Sequence, residues 1–392
     1  MQQIFKYILF LLPVFITAQN LKLSDKAEVS IISVGQGKNL YDSFGHSAIR
    51  VLDRENRLDR VYNYGTYDFN TPNFYSKFAQ GKLLYDLSSY PFYYFVRNYQ
   101  QENRTITEQV LDFSTLEKQQ FFNFLENNAK PENKKYLYDF FYDNCATKIR
   151  DVTTNVLGSE NIDFKDELLQ EHKTFRDLIH QKLDAQPWGE FGIDLALGSV
   201  IDKEATPKEY TFLPEYIQKS FANAVRTKVA VPLVKETNVI FQKREEQSQT
   251  SIFKPVLVFG LLAILILLLT IKDFKTKKRS KILDFIILFT TGVLGVLVFL
   301  LWFATDHTAT KGNFNILWAF LPNFFVAFTI FKFKKWHRYY FTFLLFLLFV
   351  LVILWIFKIQ IFNLALIPIL FILVIRYGFN FWYLLKKQNK EI

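Results

Sequence analysis

Cysteine is nearly absent from this 392-residue chain, because Cys145 is the only one. A single thiol excludes an internal disulfide. Histidine is scarce too, and the two closest, His172 and His180, are eight positions apart, which misses the i, i+4 spacing of helical metal ligands. There is no glycine-rich phosphate-binding loop. We therefore expect neither a metal nor another cofactor.

Long apolar runs, by contrast, fill the chain after about residue 252. Those of membrane-spanning length cover 255–271, 282–304, 314–331, 339–357 and 361–383. They predict an all-α transmembrane bundle of five helices within a domain spanning 251–392. The lipid bilayer is then the first expected partner.

The connecting loops indicate the orientation of this bundle. The segment "KDFKTKKRSK" (272–281) holds six basic residues and "KFKKWHR" (332–338) holds four, whereas "TDHTATKGN" (305–313) has one lysine. Basic loops remain in the cytoplasm, so the C-terminus is expected inside and the start of the first span outside. This bias explains most of the net charge of +10, and we expect no nucleic-acid partner.

The N-terminus agrees with that orientation. In "MQQIFKYILFLLPVFITAQN", one lysine precedes a short apolar run and small residues follow, which is typical of a secretory signal peptide over 1–18. An uncleaved anchor is the alternative. Residues 19–250 then form an exported domain that is long enough to have its own core. The expected localisation is the bacterial inner membrane, with this domain in the periplasm.

The exported segment reads as α+β, with an early antiparallel sheet and helices around it. Strand patterns occur at 26–35, 47–53 and 60–69, and again in "LLYDLSSYPF" and "RTITEQVLDF". "STLEKQQFFNFLENNA" (114–129) has a capping box followed by an amphipathic helix. A second helix is predicted from Asp143 or Asn144 to Leu157, with Gly158 ending it. Residues 159–250 mix short helices with loops.

This second helix places Cys145 in its first turn. Backbone N–H groups and the helix dipole favour a thiolate there, and the same donors suit the oxyanion of a tetrahedral intermediate. A buried structural thiol is the alternative. His46 in "FGHSAIRV" is the best candidate base, because it follows a glycine at the mouth of a strand. A charged helical stretch contains His172 and His180, and the predicted topology puts His337 in the cytoplasm.

Three stretches resemble one known family. "FGHSAIRV", "YNYGTYDF" and "YDFFYDNCATKIRDV" are similar to the N-terminal periplasmic domain of Lnb, a lipoprotein N-acyltransferase family of Bacteroidota. The resemblance extends over nearly the full chain. It implies a circularly permuted papain-like, NlpC-type thiol fold in which the histidine strand precedes the cysteine helix. It also implies Cys145 as the acylated nucleophile and His46 as its base.

The resemblance implies a polar residue that orients the imidazole. Asn63 is our candidate, with Tyr62, Tyr64 and Asp68 as competitors, and Tyr62 and Asn63 must lie on opposite faces of a strand. The implied reaction moves a fatty acyl chain from a phospholipid, through a cysteine thioester, to the N-terminal amine of a diacylglyceryl-cysteine lipoprotein. A membrane-anchored cysteine peptidase or peptidoglycan amidase, or an inactive sensor or scaffold, are the alternatives.

Further expectations concern substrate contacts. Asn144 and Tyr64 lie within the quoted stretches, and the outer loop adds His307, Asn313 and Asn315, for which ordinary loop polarity is the alternative. Arg376 lies within the last apolar run, where an ionisable group marks either a site or a side chain that reaches the membrane surface.

Overall fold

The structure is a computed structural model that describes residues 21–245 and 253–388. The predicted signal peptide over 1–18 lies outside the described residues. The N-terminal part is α+β, as predicted, and an all-helical part follows it.

A seven-stranded antiparallel sheet is the centre of the N-terminal part, in the order β10-β5-β1-β2-β3-β4-β6. Its strands are β1 (Glu28–Val34), β2 (His46–Asp53), β3 (Leu58–Thr66), β4 (Leu84–Pro91), β5 (Ile106–Leu111), β6 (Lys135–Leu137) and β10 (Val234–Phe241). The short strands β7 (Ile162–Asp163), β8 (Val225–Arg226) and β9 (Val231–Pro232) form a second sheet. The five strands predicted from alternation are confirmed. The edge strands β6 and β10 were not predicted, because neither has a regular apolar face.

Helices cover both faces of the large sheet. In the N-terminal part they are α1 (Phe74–Ala79), α2 (Phe92–Gln101), α3 (Thr115–Asn128), α4 (Cys145–Leu157), α5 (Phe175–His180), α6 (Pro187–Ala196) and α7 (Pro214–Asn223). The main core lies between the sheet and α3, α4 and α7, and a smaller core under α2 fills the opposite face. The predicted capping box at Ser114 and the predicted helix ending before Gly158 are both confirmed.

The helical part contains four helices that are long and apolar enough to cross a membrane, among the described residues. They are α8 (Pro255–Thr276), α9 (Lys281–Phe303), α11 (Trp336–Ile356) and α12 (Leu366–Gln388). The prediction of a continuous helix over 314–331 is wrong. That segment consists of a short 3-10 turn, Phe314–Leu317, an irregular stretch and the seven-residue helix α10 (Asn323–Thr329).

The broken segment still connects the two ends of the bundle. At one end, the Asn315 amide donates to the Asp194 carbonyl of α6, and at the other, Arg279 donates to the Ile330 carbonyl. It packs closely on α9, because a Cβ added to Gly292 would lie 2.1 Å from the Phe324 nitrogen. Irregular backbone at membrane depth requires such burial within protein.

A polar junction joins the N-terminal part to the bundle through α6. Asp194 accepts from Arg176, with Nη1 at 2.6 Å, and from Asn363, with Nδ2 at 3.0 Å. Arg176 also pairs with Asp202. Since Arg176 and both carboxylates are almost fully buried, the junction is a satisfied network of charges.

Candidate active site

The only thiol of the chain, that of Cys145, lies in the first turn of α4. Asn144 is the N-cap residue, and its Oδ1 accepts from the backbone N–H groups of Ala146 and Thr147 at 2.8 and 2.9 Å. Its Nδ2 donates to the carbonyls of Phe140 and Phe212, which fixes the turn before the helix. The structure therefore assigns Asn144 a positioning role beside Cys145, which is buried.

His46 begins β2 and is hydrogen-bonded to the thiol of Cys145. The Nε2 atom of its ring lies 2.6 Å from Oδ1 of Asn63, so Nδ1 is the nitrogen available to the sulfur. Asn63 in turn donates from Nδ2 to the hydroxyl of Tyr90 at 3.0 Å. The structure thus brings Cys145, His46 and Asn63 into one hydrogen-bonded series.

The competitors of Asn63 point elsewhere. Tyr62 and Tyr64 lie on the opposite face of β3, in the main core, where their hydroxyls contact Glu126 and Asn128. Asp68 lies beyond the end of β3 and is exposed. Tyr64 is therefore also directed away from the thiol, despite its expected role in substrate contact.

Electrostatics favour an ion pair between sulfur and ring. Burial opposes ionisation of Cys145, but the His46 charge, its hydrogen bond, and the backbone N–H groups of Ser47 and Cys145 together lower the pKa of the thiol. Burial likewise disfavours a charged His46, yet the charge of Cys145 and the hydrogen bonds to Cys145 and Asn63 raise the pKa of the imidazole. A thiolate that faces an imidazolium is an activated nucleophile with an acid beside it.

Gly65 leaves room in front of the sulfur. Its backbone has φ +86°, and a Cβ added there would lie 3.4 Å from Cβ of Cys145 and 3.6 Å from the ring of Tyr138. A side chain would therefore occupy the approach to the thiol. Sequence reasoning missed the roles of Gly65, Tyr90 and Tyr138, although the glycine within "YNYGT" was a signal for a close approach.

The outer-loop candidates divide into two groups. His307 is half-buried, and its Nε2 donates to the carbonyl of Phe78 at 3.2 Å. Asn313 and Asn315 are buried, with their amides bonded to the α6 carbonyls of Leu195 and Asp194. These contacts account for both asparagines as parts of the junction rather than as a surface open to substrate.

Three possible metal ligands do come together in the described residues. One ligand atom each from His180, Glu190 and Asp194 lies within 4.8 Å of the others. The Arg176 guanidinium already bonds Asp194 and supplies the positive charge that a cation would bring. We therefore assign this group to the junction.

Two family models match the chain. The Lnb N-terminal periplasmic domain matches residues 18–181, and the Lnb transmembrane domain matches residues 246–388. No curated protein and no solved structure has a significant match. The permuted papain-like fold therefore stays a prediction. The periplasmic-domain match precedes the transmembrane-domain match, and the two together cover most of the chain. The chain therefore belongs to the Lnb family.

Proposed function

We propose that the chain is a lipoprotein N-acyltransferase that uses Cys145 as its nucleophile and His46 as its acid and base. The hydrogen-bonded series from Asn63 through His46 to Cys145 carries this proposal. A thiolate–imidazolium pair at a helix start supports acyl transfer, because the pair supplies both the attacking atom and a proton for the leaving group.

In the first half-reaction, the thiolate attacks the ester carbonyl carbon of a phospholipid. The backbone N–H groups of Ser47 and Cys145, which face the sulfur, are suited to stabilise the oxyanion. His46 gives its proton to the glycerol oxygen as the C–O bond breaks. A lysophospholipid leaves, and the acyl chain stays on Cys145 as a thioester.

In the second half-reaction, the α-amine of a diacylglyceryl-cysteine lipoprotein attacks the thioester carbonyl. Neutral His46 takes the proton of the amine, an amide forms, and the thiolate leaves to restore the pair. The net change converts one ester and one amine into one alcohol and one amide, so no oxidant or reductant is needed.

The membrane part favours lipid substrates over a peptide or glycan. The turn that carries the thiol is tied to the bundle, since Thr308 donates to the carboxylate of Asp139 at 2.8 Å. Both proposed substrates have acyl chains in the bilayer, where each buried methylene contributes about 0.8 kcal/mol. Holding the thiol at the outer end of the bundle supplies proximity to both.

We also propose that the broken segment is a fifth crossing, which puts the C-terminus in the cytoplasm. The basic segment 272–281 supports this orientation. A C-terminal fusion is expected to give fluorescence with green fluorescent protein and no activity with alkaline phosphatase. The reverse pattern would mean four crossings.

The main test uses a bacterium that lacks its own lipoprotein N-acyltransferase. Wild type is expected to yield triacylated lipoproteins by mass spectrometry, whereas Cys145→Ala yields only diacylated ones while inserting normally. Labelled phospholipid should give a thioester on Cys145 that hydroxylamine removes. Label on another residue would contradict the thioester route.

The alternative activity is tested with the same purified protein. Under the proposal, muropeptides stay intact after incubation. If they are cleaved and lipoproteins remain diacylated, the chain is a peptidoglycan amidase or peptidase. If neither reaction occurs, a sensor or scaffold is the remaining function.

A further inference from the structure

Four exposed aromatic residues, two of them in α1 and two in the segment before it, form a surface that we call the aromatic ledge: Tyr67, Phe69, Tyr75 and Phe78. Tyr75 is 79% exposed, Phe69 65% and Phe78 52%. Their rings pack around Phe74, with ring centroids 4.9 Å away for Phe69 and 5.3 Å for Tyr75. Clustered exposed rings of this kind mark an interaction surface.

The ledge lies against the end of a membrane helix. The carbonyl of Gln80 accepts from the backbone N–H of Asp306 at 2.8 Å, and the Phe78 carbonyl contacts His307. These loop residues closely follow Phe303, the last residue of α9, which is itself 59% exposed. The ledge is therefore at the level where α9 leaves the bilayer, and aromatic rings favour that interface.

A continuous series of rings joins the ledge to the thiol. Tyr67 contacts Tyr85 with centroids 5.4 Å apart, and Tyr85 stacks on Tyr138 at 4.3 Å. Tyr138 and Cys145 then meet at the space left by Gly65. An acyl chain lying over these rings would remain on an apolar surface from the bilayer to the sulfur.

We propose that the aromatic ledge inserts into the outer leaflet and guides the acyl chain of a glycerophospholipid along Tyr67, Tyr85 and Tyr138 to Cys145. Insertion depends only on the surface and its position. Guidance of the donor rests on the proposed function.

Insertion is tested in the full chain, reconstituted in phospholipid vesicles. Cys145→Ala removes the only cysteine, so adding Tyr75→Cys leaves one site for a nitroxide label. The matched control is Leu116→Cys, because Leu116 is apolar and 68% exposed. Its neighbour Thr115 donates to Asp25, and Ser24 donates to Asp53, the last residue of β2, so this position is at the end of β2 away from His46.

The label at position 75 is expected to be accessible to oxygen and protected from a water-soluble nickel chelate, and the label at 116 to show the reverse. Equal access to nickel at both positions would overturn insertion. Protection of position 75 from both reagents would indicate a protein contact, such as a second copy, and would overturn it too.

Guidance is tested by the rate of Cys145 acylation. The double variant Tyr75→Ser/Phe78→Ser is expected to lower the rate with vesicle phospholipid by about tenfold or more, and to change it less than about twofold with a water-soluble short-chain ester. Leu116→Ser should alter neither rate. An equal loss with both esters would show a structural role and overturn guidance.

These outcomes separate the two proposals. If wild type acylates Cys145 with no ester, the proposed function fails and guidance fails with it, while the label accessibility still decides insertion. If wild type is active and the double variant retains the full rate on vesicles, guidance alone fails.

Discussion

At the residue scale, Asn63 does more than hold a ring in place. Burial has the largest effect on the pKa of the His46 imidazole and lowers it. The charge and hydrogen bond of Cys145 raise that pKa, and the hydrogen bond with Asn63 raises it further. The thiolate persists above the lowered pKa of Cys145, and the imidazolium persists below the raised pKa of His46. Both shifts therefore favour the ion pair over the two neutral side chains, and the pKa of His46 sets the alkaline end of the pH range in which the pair can exist.

Loss of Asn63 is expected to narrow that range from the alkaline side. In Asn63→Ala the imidazolium loses an acceptor, so acylation of Cys145 by a short-chain ester should decline at lower pH than in wild type. The measurement is the rate of acylation as a function of pH. Asn128→Ala, which removes a hydrogen bond to the buried hydroxyl of Tyr64, should leave the profile unmoved. A uniform loss of rate without a shift would mean that Asn63 only orients the ring.

Asn63, the residue that accompanies Cys145 and His46, shows how much of the candidate site can be predicted from the sequence. A strand period of two separates Asn63 from Tyr62 and Tyr64, but only the fold shows which face meets β2 and the start of α4. The structure directs the two tyrosines into the core and Asn63 to His46. Asp68 could not be excluded beforehand because the end of β3 was predicted three residues too late.

At the element scale, α4 depends on its cap. Asn144→Ala removes two bonds to helix N–H groups and leaves the carbonyls of Phe140 and Phe212 unpaired. We expect a loss of about 2–3 kcal/mol in the free energy of unfolding. The alkylation rate of Cys145 at neutral pH should also decrease, since the start of the helix shifts away from His46.

Ser114→Ala is the matched control, because Ser114 caps α3 with the same kind of bond. It should cost about 1 kcal/mol and leave the alkylation rate per folded molecule unchanged. Iodoacetamide labelling alongside thermal unfolding measures both effects. Equal alkylation rates in the two variants would contradict a positioning role for Asn144.

The broken segment explains why hydropathy mispredicted one helix. A sliding window counts apolar residues over 314–331, but it does not detect that Pro322 and the close approach to α9 prevent a continuous helix. The contacts at Gly292 and Gly295 are long-range, so no local pattern could reveal them. The four other spans were recovered within a few residues at most boundaries, because continuous apolar composition defines them.

The fit at Gly292 gives a direct prediction. In Gly292→Ala the new methyl group would lie 2.1 Å from the Phe324 nitrogen, so the segment must move. The variant is expected to unfold at a lower temperature in detergent than wild type. Gly260→Ala on α8 is the control, because its Cβ meets nothing within 4 Å, and alanine favours a helix by about 0.8–1 kcal/mol. Unfolding temperatures that change alike would contradict the close packing.

At the scale of the whole molecule, the junction at α6 links the N-terminal part to the helical bundle. The Asp194 carboxylate accepts hydrogen bonds from Arg176 and His180 of α5 and from Asn363 of the bundle. Burial raises the pKa of Asp194, but His180 and Arg176 outweigh it and lower that pKa. Burial lowers the pKa of His180, but Asp194 and Glu190 outweigh it and raise that pKa.

The signs of these shifts set a pH window for the junction. Stabilisation from Asp194 is present above the ordinary pKa of an aspartate and is lost as pH falls through the lowered value. Stabilisation from His180 is complete below the ordinary histidine pKa, about 6.5, and is lost as pH rises through the raised value. The protection factors of the α6 amides against hydrogen exchange should therefore be highest at mildly acidic pH. In His180→Gln the decrease of these protection factors toward alkaline pH should be smaller than in wild type.

Arg176→Met is expected to weaken the junction at every pH in that window. It leaves Asp194 and Asp202 buried without their main cation, which costs about 3–5 kcal/mol for a buried pair that loses one partner. The measurement is thermal unfolding together with hydrogen exchange in α6. Lys26→Met, which breaks the exposed pair with Glu55, should leave the unfolding temperature almost unchanged, because solvent screens an exposed ion pair. If α6 exchanges equally slowly in both variants, the apolar contacts of α6 with the bundle stabilise the junction, and the buried charges add no net stability.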